Sequence, residues 1–156
     1  MKPRIAEIQR SLSKALNAMP GVFSTVQWGG RAYKLPGPGS RGMKKPVLLT
    51  HACLSKTGDA VCLGFRLEKS RARTIVREHD WIKPHSFRTL SKTGWLETQV
   101  RTKTQCKVMV ELLRESRALH PMPEALTQAP ASRKSASARI SGSSSGDQRK
   151  PITRRL

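Results

Sequence analysis

Three sets of side chains in this 156-residue chain could do chemistry. His51, Cys53 and Cys62, with the more distant His79 or His85, are the nitrogen and sulfur ligands of a tetrahedral metal site. Their spacing fits no zinc signature, the pattern identifies no fourth ligand, and free cysteines commonly behave as small apolar groups. No metal or cofactor is therefore expected. His79-Asp80 and His85 could form an acid–base pair, but catalysis also needs a nucleophile, a pocket and an oxyanion donor. The sequence identifies none of these, so the chain is expected to be nonenzymatic. Pro36-Gly37-Pro38-Gly39 has neither the spacing nor the following helix of a phosphate-cradling loop.

The third set is cationic. Thirty Lys and Arg face ten Asp and Glu, a formal net charge of +20. The excess is not confined to one end, because residues 1–120 hold 23 basic and 8 acidic side chains and residues 121–156 hold seven and two. Such a surface attracts anions. Eight of the cations fall at expected loop tips and edges: Arg31 and Lys34 on a first hairpin, Arg41, Lys44 and Lys45 in a long loop, Lys56 at a second turn, and Arg88 and Lys92 near a third. Converging on one polyanion, they would neutralise phosphates and release counterions, which makes affinity fall steeply with salt. The alternative is that they are solvated charges that keep a small domain soluble. Trp28, Trp81 and Trp95 could stack on bases, although large aromatics more often complete a core. Trp28, beside a glycine turn, is the exception to expect.

The elements that must position these groups follow from periodicity. From Arg4 to Met19, Ile5, Ile8, Leu12, Ala15, Leu16 and Met19 recur at helical steps, and Pro20-Gly21 ends the helix. Ser24–Trp28 and Arg31–Leu35 flank Gly29-Gly30, read as the two-residue turn of a hairpin. Residues 36–46 carry too much Gly and Pro for a regular element. Val47–Ser55 and Ala60–Phe65, joined by Lys56–Asp59, form a second hairpin. Its register sets Cys53 opposite Cys62 on one face, and Leu54 opposite Val61 and Ala52 opposite Leu63 on the more apolar face. Glu68 to Glu78 reads as a helix with Ala72, Ile75 and Val76 inward and Lys69, Arg71, Arg73 and Arg77 exposed. Trp81–Pro84 and Phe87–Leu90 are short extended candidates. Trp95–Val100 is a strand with Leu96, Thr98 and Val100 alternating against Trp95, Glu97 and Gln99. A last helix begins at a Thr102 cap with Gln105 three residues on, turns Cys106, Met109, Val110 and Leu113 inward, and ends near Leu119.

After Pro121 the composition shifts to Pro, Ala, Ser, Gly and Arg without apolar periodicity, which predicts a disordered basic tail. The start Met1–Leu12 lacks the apolar run of a signal peptide, and no stretch of about eighteen apolar residues occurs. The expected location is the cytoplasm, with no membrane contact. Three cysteines without an export signal are expected to stay reduced.

Met19-Pro20-Gly21-Val22, Trp28-Gly29-Gly30-Arg31-Ala32-Tyr33-Lys34, Val61-Cys62-Leu63-Gly64-Phe65, Gly94-Trp95 and Leu112-Leu113-Arg114-Glu115-Ser116 stand in the order helix, two hairpins, helix, extended pair, helix. On these pieces the stretch from about Ile5 to about Leu119 resembles the MmcQ/YjbR family. The resemblance implies a frataxin-like sandwich, an antiparallel sheet covered by helices, with a proposed double-wing mode of DNA binding and no catalytic residue set. The basic loop 36–46 departs from that pattern.

The expectation is one α+β domain at residues 1–120, an antiparallel hairpin sheet under about three helices, followed by a tail at 121–156. Its expected function is nucleic-acid binding, to DNA before RNA, through the eight basic positions. The alternative is a module for a small molecule or an acidic protein on the open sheet face near His51, Cys53 and Cys62.

Overall fold

The computed structural model describes residues 2–37 and 45–120. Arg41, Lys44 and the expected tail at 121–156 lie outside the described residues. Six strands form one antiparallel sheet: β1 Phe23–Gln27, β2 Gly30–Leu35, β3 Val47–Leu54, β4 Val61–Arg66, β5 Ile82–Pro84 and β6 Trp95–Val100. Their spatial order is β1-β2-β3-β4-β6-β5. Three long helices, α1 Pro3–Asn17, α2 Lys69–Glu78 and α4 Lys103–Ala118, and a single-turn helix α3 Arg88–Ser91 complete an α+β fold.

The β3–β4 register is the expected one, with Cys53 opposite Cys62, Leu54 opposite Val61 and Ala52 opposite Leu63. The Ser55 N–H donates to the Ala60 carbonyl at 3.0 Å and closes the turn. Alternation then sorts the faces. Val61, Leu63 and Phe65 are buried, while Cys62 and Gly64 between them are only partly so. The buried face meets the helical stripe Ile5, Ile8, Leu12 and Leu16 of α1 and Met109, Leu112 and Leu113 of α4. Full burial of a large aliphatic side chain contributes about 1.5–3 kcal/mol, so this shared interior fixes which way the sheet faces. The Tyr33 hydroxyl donates to Ser13 Oγ at 2.8 Å, tying β2 to α1.

Helix starts are set by their caps. The Glu68 carboxylate accepts the N–H groups of Ser70 and Arg71 at the head of α2. At α4, Thr102 and Gln105 form the expected reciprocal capping box. Arg71, expected on the exposed side of α2, also reaches across to Glu115 at 3.0 Å and links α2 to α4.

Two local expectations are corrected. The first hairpin turns at Trp28-Gly29, not Gly29-Gly30: both residues have positive φ, 51° and 71°, while Gly30 is already paired with Gln27 in the sheet. A side chain at Gly30 would run into the Ala52 carbonyl and the Cys53 Cβ, so the second glycine serves close strand approach and not the turn. Phe87–Leu90, expected to be extended, winds into α3. With β5 already at the sheet edge, its backbone groups find partners locally: the Leu90 and Ser91 N–H groups both donate to the Phe87 carbonyl.

Candidate nucleic-acid interface

The sheet distributes the expected basic residues between its two ends. The Trp28-Gly29 turn, the Lys56–Asp59 turn and the end of β6 lie at one end; the start of β3, α3 and the start of β6 lie at the other. Arg31 and Lys56 therefore sit near the first end, and Lys34, Lys45, Arg88 and Lys92 toward the second. The eight residues of β3, about 26 Å, separate Lys56 from Lys45, and about 10 Å of β2 separates Arg31 from Lys34, so these cations are spread along the sheet and not gathered at one end. The pleat divides them further. Arg31 is on the helix side, donating to Ser24 Oγ at 3.2 Å, whereas Lys34 is opposite Leu48 and Phe23 on the uncovered face.

A concentration of positive charge appears where the sequence reading had only an outer helix surface. Lys69, Arg73 and Arg77 stand four residues apart along α2 and, with Lys92 just past α3, line a cleft of about 460 Å³. Pro84, Ser91 and Trp95 contribute to its walls, and among the described residues no carboxylate lines it. Among the described residues none of the four cations forms an ion pair. Four other described cations are paired, Arg101 3.5 Å from Asp59, Lys103 2.8 Å from Glu7, Arg71 with Glu115 and Arg114 with Glu111, while cations such as Lys34 and Arg88 also form no ion pair among the described residues. The i, i+4, i+8 spacing on α2 was the available signal; Lys92 joins it only because the chain returns past α3.

The uncovered sheet face forms a larger, open groove of about 910 Å³. Its floor includes His51, Cys53, Cys62 and Gly64, and its rims carry Trp28 and Phe87, which are 70% and 68% exposed. The charges that line it balance, Lys83 and Arg101 against Asp80 and Glu97. Hydrogen bonds fix both imidazoles. His51 Nε2 lies 3.0 Å from the Gln27 carbonyl, which can only accept, so Nε2 holds a proton and, in the neutral ring, Nδ1 is an acceptor. His85 Nδ1 accepts the Phe87 N–H at 3.1 Å, with Glu97 Oε2 4.0 Å away, so in the neutral ring the proton sits on Nε2, over Gly64. The His85 ring stacks on Phe87 at 5.5 Å and meets Trp95 edge-on at 6.4 Å. Trp95 borders both the groove and the basic cleft.

Of the three tryptophans, Trp81 and Trp95 are partly buried and Trp28 is the exposed one. His51, Cys53 and Cys62 share the groove floor, but among the described residues no three His, Cys, Asp or Glu side chains gather as metal ligands. Burial, followed by the neighbouring Cys53, pushes the Cys62 thiol above its ordinary range, which leaves it mostly protonated and a poor nucleophile at neutral pH. Among the described residues no helix is long and apolar enough to cross a membrane.

No protein-family model matches the sequence, and no curated protein does. Among solved structures the chain is similar to DR2400 of Deinococcus radiodurans, a DUF419 domain, with a TM-score of 0.57 at 17% identity over 74% of this chain and 81% of that one. At that identity the likeness establishes the shared fold.

Proposed function

We propose that this chain is a nonenzymatic nucleic-acid-binding protein whose phosphate contacts centre on the cleft of Lys69, Arg73, Arg77 and Lys92. The observation that carries the reading is that, among the described residues, no carboxylate lines it. Four like charges held together without counter-charges repel one another, and an anion is the ligand that relieves the repulsion. Arg88, Lys34 and Lys45 lie toward the same end of the sheet, and Arg31 and Lys56 extend the positive field at the other. We also propose that the chain is a distant member of the MmcQ/YjbR family. The motifs from Ile5 to Leu119 and the fold shared with a DUF419 domain, a group related to YjbR-like folds, support this.

A small-ligand module has the groove over His51, Cys53 and Cys62 in its favour, but it leaves the uncompensated cleft without a role. The deciding experiment is fluorescence anisotropy of labelled DNA and RNA oligonucleotides with the full chain over a salt series. Binding with a steep salt dependence supports the proposal, and no binding at 50 mM salt rejects it.

A further inference from the structure

The cleft and the groove differ in a way that matches the two halves of a nucleotide. The cleft is cationic and, among the described residues, without carboxylates. The groove is charge-balanced and offers flat aromatic rims with a hydrogen-bond acceptor on His51 and a donor on His85. They meet at Trp95, with Leu90 of α3 turned to the groove and Ser91 and Lys92 to the cleft. An anionic backbone suits the first surface and uncharged heteroaromatic rings suit the second.

Trp28 carries the argument furthest. It is a non-glycine residue of the described chain with positive φ, 51°, a conformation that L-residues other than Asn and Asp rarely adopt. It is also 70% exposed, so its indole gains little from burial. Backbone strain that presents a large aromatic to solvent points to a ligand-facing role. Phe87, on an ordinary extended backbone, presents a second ring on the opposite rim, 68% exposed and stacked on His85.

We infer that the open sheet face is a stacking surface for unpaired bases, with Trp28 and Phe87 as its plates, so that the preferred ligand is single-stranded nucleic acid whose phosphates follow the basic cleft. This rests on the proposed nucleic-acid function. In a duplex the base faces are stacked on one another and closed to the indole. In a single strand they are open, and each base–aromatic stack strengthens binding about five- to 150-fold.

The test compares single-stranded and duplex oligonucleotides of one sequence, with the full chain as wild type, Trp28→Asn, Phe87→Ala and the double charge reversal Arg73→Glu/Arg77→Glu. Trp28→Asn keeps the fold because Asn-Gly is the favoured pair for this turn. The single strand should bind at least tenfold more tightly than the duplex. Trp28→Asn and Phe87→Ala should each weaken single-strand binding about five- to 150-fold with an unchanged salt slope, and single-strand binding should quench tryptophan emission in the wild type. Equal binding of single strand and duplex, with both aromatic variants unaffected while the charge reversal weakens both ligands, overturns the stacking inference and leaves the phosphate reading standing. No binding of either oligonucleotide at low salt overturns both.

Discussion

The indole of Trp28 stands edge-on to the imidazole of His51, ring centroids 5.7 Å apart and planes at 64°. Because the His51 ring is itself held by the Gln27 carbonyl, the hairpin tip is fastened to β3 and the indole rests its edge against a held ring. A rigid aromatic loses little freedom when a ligand arrives.

Trp28→Asn should hardly change stability. Relief of the strained turn gains about 1 kcal/mol, and loss of an exposed edge contact gives back about 0.5–1.5 kcal/mol. The two nearly cancel, so Tm should stay within about 4 °C of wild type. Thermal unfolding followed by circular dichroism checks this, and a larger drop would mean that the indole has a packing role.

In the cleft, Arg73→Ala and Arg77→Ala should leave stability within about 0.5 kcal/mol, since both side chains are exposed and unpaired among the described residues. Each should lower the magnitude of the log–log salt slope for a single strand by about 0.7. Lys103→Ala, which removes a cation already matched by Glu7 at 2.8 Å, should leave that slope unchanged. Equal effects from all three would mean that binding reads net charge and not the cleft.

Asp59 predicts an acid limb of stability. Hydrogen bonds from the Thr57 and Ser55 hydroxyls hold its carboxyl at about 2, below the ordinary 3.8. Folding therefore favours the carboxylate. The associated stability is fully present above pH 3.8 and fades as pH falls toward 2. The stability gap between wild type and Asp59→Asn should accordingly shrink across that window, as urea melts at pH 5, 3 and 2 would show. Glu7 and Glu68, also lowered by hydrogen bonds, from Lys103 and Ser70 respectively, leave the variant some acid sensitivity of its own.

Thr50 is fully buried at 0% exposure, and its hydroxyl has no hydrogen-bond partner among the described residues. It sits beside the register shift at Tyr33 and Lys34, where Leu49 and Thr50 are both turned inward. Thr50→Val replaces the hydroxyl with a methyl of nearly the same size, so it should raise stability by about 1–3 kcal/mol. Chemical denaturation measures it; a loss instead would place a water or an outside group at the hydroxyl.

Local order carried much of the fold into the sequence. The stripe Ile5, Ile8, Leu12, Leu16, the alternation Leu96, Thr98, Val100 and the Thr102–Gln105 cap are patterns of nearest neighbours, so they could be read without knowing what lay opposite. The Cys53–Cys62 register was legible for the same reason, since a four-residue turn leaves one pairing that keeps Val61 and Leu63 on the buried face. Trp28 also declared itself, by its place next to a glycine.

Long-range encounters had no such trace. Leu90 and Lys92 are two residues apart, yet the turn of α3 sends one to the open face and the other to a cleft with Lys69, Arg73 and Arg77. Arg31 and Lys34 share one strand, and the pleat puts them on opposite faces. The sequence determined the amount of positive charge and the two-layer framework, because composition and periodicity are properties of the chain itself. Only the tertiary structure decided which charges stand uncompensated and beside which aromatic rings, because charge focusing depends on distances between segments far apart in sequence.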